Sequence, residues 1–197
     1  MATLLEQAEV GPGLSSAVVG RNPWALAGRR LRRNRIALAA LVLFLLIVVL
    51  SLAAPLYAKY VAHVNPFPPN LNGHTVVNGK VVPVMQQGGG TLHLGETPIG
   101  PTWDLGHYFL GADGVGRDVA SLLLYGGRSS LLVGVGVQPP NVSWGTIIQD
   151  GTDLLYTRPG VSIAPGIMIL LTVLSLNVFG DGVRDALDPR AKLRVEG

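Results

Sequence analysis

An uncharged run from Ile36 to Ala58, preceded by Arg29, Arg30, Arg32, Arg33 and Arg35, leaves this chain few architectures. At about 1.5 Å per residue, a helix of roughly 20 apolar residues crosses a hydrocarbon core of about 30 Å. Arginine and lysine clusters stay on the cytoplasmic side, so the run predicts a membrane span with the N-terminus inside. A second uncharged run, Pro159 to Gly180, sits between Arg158 and Asp181 and predicts a second span. Arg158 can snorkel toward the headgroups there, and Pro165 with Gly166 predicts a bend whose freed carbonyls need a neighbouring helix or Ser162. Asn177 within that run is expected to face protein, because an amide facing lipid loses its hydrogen bonds.

Composition agrees with a membrane class. Only 14% of the 197 residues are charged, and the mean hydropathy is +0.41, little charge for a surface that must face water. The net charge of +3 comes largely from the arginine cluster, so it reads as orientation and headgroup contact and not as a nucleic-acid face. A cleaved signal peptide fits poorly: the apolar stretch exceeds an h-region of about 7–15 residues, although Ser51 and Ala53 offer small residues for a cut. The absence of cysteine excludes disulfides, thiolate zinc sites and thiol catalysis. His63, His74, His93 and His107 follow no metal-ligand spacing. The chain has no Gly-x-Ser-x-Gly elbow, no His-Glu-x-x-His and no phosphate-cradling Gly-Lys-Ser/Thr loop. It is therefore expected to be no enzyme, with no catalytic residue, metal or cofactor.

Upstream of the first span, Asn22 and Pro23 suit a helix start, which would put residues 24–35 on the inner leaflet with Trp24 at headgroup level; a polar tail with a basic flank is the other reading. Beyond Pro55, residues 59–106 are rich in Pro, Gly, Asn and His and carry no helical period. Within them Thr75-Val76-Val77, Asn78-Gly79 and Lys80-Val81-Val82 predict a β-hairpin, since Asn-Gly supplies the two positive φ angles of a type I′ turn. Such a hairpin alone is marginal and needs packing partners. Gln86 to Gly90 reads as connector. The apolar stretches Leu122 to Leu124 and Leu131 to Val137, separated by Arg128, are too short to cross a bilayer and fit an amphipathic helix in the interface.

The stretch from His107 to Gly134 carries a more specific pattern: Gly111-Ala112-Asp113, then Gly116-Arg117-Asp118, a leucine-rich segment, and Arg128-Ser129-Ser130-Leu131. It resembles the approach to the second membrane helix of the dipeptide/oligopeptide/nickel ABC-importer permeases, in particular their second permease subunit, with Ala112 where threonine is usual. Glycines at 111, 114 and 116 permit a tight turn, Asp118 can cap a helix beginning at Val119, and Arg117 can pair with Asp113 or a lipid phosphate. The segments Gly136 to Gly145 and Gly180-Asp181-Gly182-Val183-Arg184-Asp185-Ala186-Leu187-Asp188-Pro189-Arg190 resemble the last outer loop and the cytoplasmic tail of the same subunit. There Gly180 and Gly182 would let the chain turn at the interface, and Asp181, Asp185 and Asp188 would be paired by Arg184 and Arg190.

The resemblance breaks between Gly134-Val135 and Gly136-Val137. Family members have about six spans, and about four would be missing at this point, together with the cytoplasmic coupling loop that docks on the ATPase. The expected fold is an all-α membrane protein with two transmembrane helices, an extracytoplasmic loop carrying a small β-hairpin, and an interfacial helix. Its divisions are a cytoplasmic basic tail (1–35), a span (36–58), an extracytoplasmic loop (59–118), an interfacial helix or remnant of a membrane helix (119–137), a second loop (138–158), a span (159–180) and a cytoplasmic tail (181–197). The resemblance implies an internally deleted permease subunit of a prokaryotic plasma-membrane peptide importer. Implied partners are a sister permease, cytoplasmic ATPase subunits, an extracytoplasmic substrate-binding protein and membrane lipid, but no nucleic acid. Two spans enclose no pathway, so the chain is expected to transport nothing alone. A two-span adaptor or non-functional remnant bound to the partner permease is the alternative.

Overall fold

The computed structural model describes residues 28–29, 31–87, 96–132 and 142–187. Asn22, Trp24, Arg30, His93, the 134–137 repeat, Asp188, Pro189 and Arg190 lie outside these residues. Among the described residues, two helices are long and apolar enough to cross a membrane. The first, α1 (Arg35–Leu52), starts where the Asn34 side chain accepts the Ala37 N–H at 3.1 Å, the ordinary way to satisfy an orphan donor at a helix start. It stops short of Ala58, the expected limit. At Ala53 the chain begins a separate helix, α2 (Ala54–Tyr60), with Pro55 in its first turn. Proline is tolerated there because that N–H has no intrahelical partner.

The other long helix, α5 (Gly160–Leu187), packs against α1. Gly182 near its C-terminal end lies against Ala37, while Val161 near its start shares a core cluster with Ile47, so the two run antiparallel. The buried positions Val161, Pro165, Thr172, Ser175 and Gly182 recur at spacings of three, four or seven and form one face. The buried hydroxyls find acceptors on their own helix, Thr172 Oγ1 donating to Met168 O at 2.8 Å and Ser175 Oγ to Thr172 O at 2.9 Å.

Several expectations are corrected here. Gly180 and Gly182 do not turn the chain, since α5 runs through both to Leu187, and a tight contact with Ala37 needs a glycine as much as a turn does. Ser162 Oγ does not serve the carbonyls freed by Pro165 and donates instead to Ile148 O at 3.4 Å. Asn177 is exposed and lies off the face of α5 that meets α1, so within this chain no protein partner covers it among the described residues. Gln86 and Gln87 are not connector: β3 (Met85–Gln87) pairs antiparallel with β4 (Glu96–Pro98). The stretch after residue 141, read as loop, contains α4 (Trp144–Asp150), started by a Ser143/Thr146 capping box.

The Asn-Gly hairpin is present as β1 (His74–Val77) and β2 (Lys80–Pro83), with Asn78 at φ 52° and Gly79 at φ 76°. Its packing partner is a small core of Val84, Ile99, Tyr108 and Ala112, flanked by Val77 and Val82. Next along the chain, α3 (Val119–Leu132) has 14 described residues, about 21 Å of helix. The larger core joins Ile47 of α1, Val119 and Leu122 of α3, Trp144 and Ile147 of α4 and Val161 of α5. Trp144 Nε1 donates to Leu123 O at 2.8 Å. A Cβ on Gly127 would stand 3.0 Å from the indole and 2.9 Å from Ser51 Cβ. Gly127→Val should therefore destabilise the fold by about 1–3 kcal/mol, read as a lower midpoint in a circular-dichroism melt in detergent; an unchanged midpoint would contradict this packing.

Candidate functional site

The residues singled out by sequence divide into two groups. Gly111, Asp113, Gly116, Arg117 and Asp118 come together in one turn ahead of α3. Arg128 stands apart, exposed on α3, and Gly180, Asp181, Arg184 and Asp185 lie along the last turns of α5, with Gly182 alone of that stretch buried. The tail ion pairs are corrected in part: Arg184 makes none with Asp181 or Asp185, and the ion pairs among the described residues belong to Arg117. No three metal-ligating side chains come together among the described residues.

The turn is assembled from main-chain bonds reaching back into the hairpins. Val84 N–H donates to Gly73 O and Ile99 N–H to Val84 O, both at 2.8 Å, and Ala112 N–H donates to Ile99 O at 2.9 Å. Asp113 N–H bonds Arg117 O, and Gly116 N–H bonds Asp113 O, each at 3.0 Å. Of the three glycines, Gly111 (φ 88°) and Gly116 (φ 77°) take left-handed backbone and Gly114 does not. A side chain on Gly116 would also collide with the main chain of Asn70.

Asp113 is the electrostatic centre. Its side chain is 2% exposed; Oδ1 accepts the N–H groups of Val115 (3.0 Å) and Arg117 (2.8 Å), and Oδ2 meets Arg117 Nε at 2.7 Å. The guanidinium reaches further, placing Nη2 3.0 Å from Asp150 Oδ2 at the end of α4. Asp118 caps α3: its Oδ2 accepts the N–H of Ser121 at 2.8 Å and also the Ser121 hydroxyl. Its Oδ1 is buried without a hydrogen-bond partner. Burial raises the Asp118 pKa above the usual carboxylate value, against the lowering effect of the Ser121 bonds. Tyr108 is raised too, first by burial, with the Asn70 hydrogen bond opposing and the Asp118 and Asp113 charges adding.

Three participants escaped the sequence reading. Asn70 Nδ2 donates to the Tyr108 hydroxyl at 2.9 Å, and that hydroxyl donates to Gly116 O at 3.2 Å, tying the turn to a residue 38 positions earlier. Asp150 supplies the second carboxylate of Arg117 from 33 positions later. No local pattern announces these partners, since their spacing exceeds any helix or strand period. With both Asp113 oxygens and one Asp118 oxygen engaged, the turn's chemistry is positional: it fixes the start of α3 and fastens it to α4.

Residues 22–73 match the family described as the N-terminal TM domain of oligopeptide transport permease C. The chain is similar to the di/tripeptide transport system permease protein DppC of Pseudomonas aeruginosa, 48% identical over 60 residues, or 30% of this chain and 20% of that protein. The dipeptide transport system permease protein DppC of Escherichia coli K12 gives the same figures of 48%, 30% and 20%. A putative peptide transport system permease protein of Brucella suis is 45% identical over 65 residues, covering 33% of this chain and 21% of its own length. No solved structure matches the chain. Over this N-terminal part the chain is thus similar to the membrane domain of peptide-transport permease subunits, and it spans about a fifth of the length of those relatives.

Two outcomes test the site. Arg117→Gln strands the buried Asp113 carboxylate and should cost about 1.5–3 kcal/mol, whereas Asp150→Asn, at an exposed partner, should cost at most about 1 kcal/mol; unfolding midpoints in detergent compare them. Because the folded Asp118 binds its proton more tightly than the unfolded one, stability should rise as pH falls through its folded pKa toward the unfolded value. Asp118→Asn keeps an acceptor for the cap and should flatten that pH dependence in melts taken from neutral toward acid pH.

Proposed function

We propose that this chain is a partial membrane-spanning permease subunit of a binding-protein-dependent ABC importer for dipeptides or oligopeptides, lacking an internal segment and unable to transport alone. The observation that carries the reading is the permease-domain match over residues 22–73, within which α1 has membrane-spanning length and composition. The second such helix runs antiparallel to the first, which supports both termini on the cytoplasmic face of a prokaryotic plasma membrane, where Arg29, Arg32, Arg33 and Arg35 stand exposed at the start of α1. A sister permease, ATPase subunits that hydrolyse the ATP, and an extracytoplasmic binding protein are the partners this reading calls for. The ATPase contact is the weakest of these, since the chain carries no stretch resembling the coupling loop.

One observation favours the adaptor reading as a second possibility. Leu170, Val173, Leu174 and Leu176 are exposed on α5 beside Asn177, and an apolar face carrying an amide suits another membrane helix better than lipid alone. Co-purification with a co-expressed sister permease is expected under both readings; a change in that permease's peptide uptake is expected only of an adaptor. ATP-driven uptake by the chain with only the ordinary partner subunits would refute the claim that it cannot transport. An intact mass near 20.7 kDa for the protein made from its genomic locus is expected of the internal loss; a protein half as long again would remove it.

The absence of cysteine makes orientation directly testable. Tyr156→Cys, fully exposed between α4 and α5, should react with a membrane-impermeant maleimide in intact cells. Arg29→Cys should react only after permeabilisation. The reverse pattern would overturn the orientation.

A further inference from the structure

An open cleft of about 380 Å³ lies just beyond the end of α1, between α2, the chain that follows it and α3. Besides the Tyr125 hydroxyl, its polar side chains are Lys59, His63 and Asn65, and among the described residues no carboxylate lines it. Asn65 Oδ1 already accepts the Phe67 N–H at 3.2 Å, so what its amide offers the cleft is the NH2 donor. Lys59 forms no ion pair among the described residues; its ammonium stands 5.2 Å from the centroid of the Tyr60 ring. His63 is held at φ 51°, a conformation costly for a residue with a Cβ. The apolar wall is Phe67 against Tyr125, edge to face with centroids 5.0 Å apart.

Donors without an acid, set over aromatic and aliphatic surface, match a group that has acceptor oxygens on one end and hydrocarbon on the other. We propose that this cleft binds the phosphate of an anionic phospholipid headgroup, with Lys59 and Asn65 as donors and the Phe67–Tyr125 pair against the glycerol and upper acyl chain. The inference rests on the reading of α1 as a membrane span, which puts α2 and the cleft at headgroup depth on the side away from the arginine cluster. A zwitterionic headgroup would bring its own ammonium toward Lys59, so an anionic lipid is selected.

The test uses the full chain reconstituted in phosphatidylcholine vesicles containing a minority of phosphatidylglycerol, followed by mild detergent extraction and mass spectrometry of the retained lipid. Phosphatidylglycerol should be retained over phosphatidylcholine. Lys59→Gln, at an exposed position, should lower that retention about tenfold, the value of one charge-assisted hydrogen bond, while Lys59→Arg restores it. Arg128→Gln, which removes an exposed cation outside the cleft, should leave it unchanged. Equal retention of the two lipids, or equal losses in the Lys59 and Arg128 variants, overturns the site while leaving the span intact. Displacement by soluble glycerol phosphate overturns the lipid as occupant in favour of a free phosphate. A chain that does not remain with the vesicles after alkaline washing overturns the span and the site together.

Discussion

The antiparallel seam between α1 and α5 organises the rest of the molecule, because it is the most extensive packing between any two described elements. Small residues dominate its far end, where Ala37 meets Gly182, and α5 turns Thr172 and Ser175 inward along it, while Ile47 shares a core cluster with Val161 at the other end. Small side chains let backbones approach, and where lipid tails are as apolar as leucine, close packing is what brings helices together. The Thr172 and Ser175 hydroxyls donate within their own helix, so the seam satisfies them without reaching across and depends on fit. The larger residues, Leu45, Leu46, Val49 and Leu50 on α1 and Leu170, Val173 and Leu174 on α5, are left on the outside. That distribution is the inverse of a water-soluble core and the expected one for a bilayer solvent.

From this seam the order passes outward through short-range polar contacts. Trp144 seats α4 on α3 through its indole N–H, and Ser130 Oγ accepts the Trp144 N–H at 3.1 Å. Arg117 fastens the turn before α3 to the end of α4, and Arg158 Nε donates to Pro98 O at 2.8 Å, joining the start of α5 to the second hairpin. The snorkelling expected of Arg158 is thereby replaced by a protein contact, because a carbonyl within reach offers a fixed acceptor at less entropic cost than a mobile headgroup. Each link ties residues before the 134–137 repeat to residues after it. The two long helices thus close into one unit with a structured cap, which gives physical content to the proposed adaptor or remnant.

The polar cap and the apolar helices also answer different demands. The exposed apolar faces of α1 and α5 ask for lipid or for other membrane helices, and the amide of Asn177 favours the latter on one side. The cleft at Lys59, one short helix beyond the end of α1, asks for an anion. Both features lie within the described residues of this chain.

What the sequence determined by itself is what local physics writes locally. Hydrophobic run length specified α1 and α5, Asn78-Gly79 specified the first hairpin through two positive φ angles, and Asp118 was legible as a cap because helix starts use nearby side chains. Where the reading failed, a partner far along the chain decided. Pairing with Glu96–Pro98 turned Gln86 and Gln87 into strand, contact with Ala37 made Gly182 a packing position inside a continuing helix, and Asp150 and Asn70 completed the Asp113–Arg117 turn from 33 and 38 positions away from the residues they bond. Tertiary structure alone decided these, because the free energy of a buried hydrogen bond or a close helix contact depends on which distant groups arrive, and a one-dimensional pattern records only periodicity and neighbours.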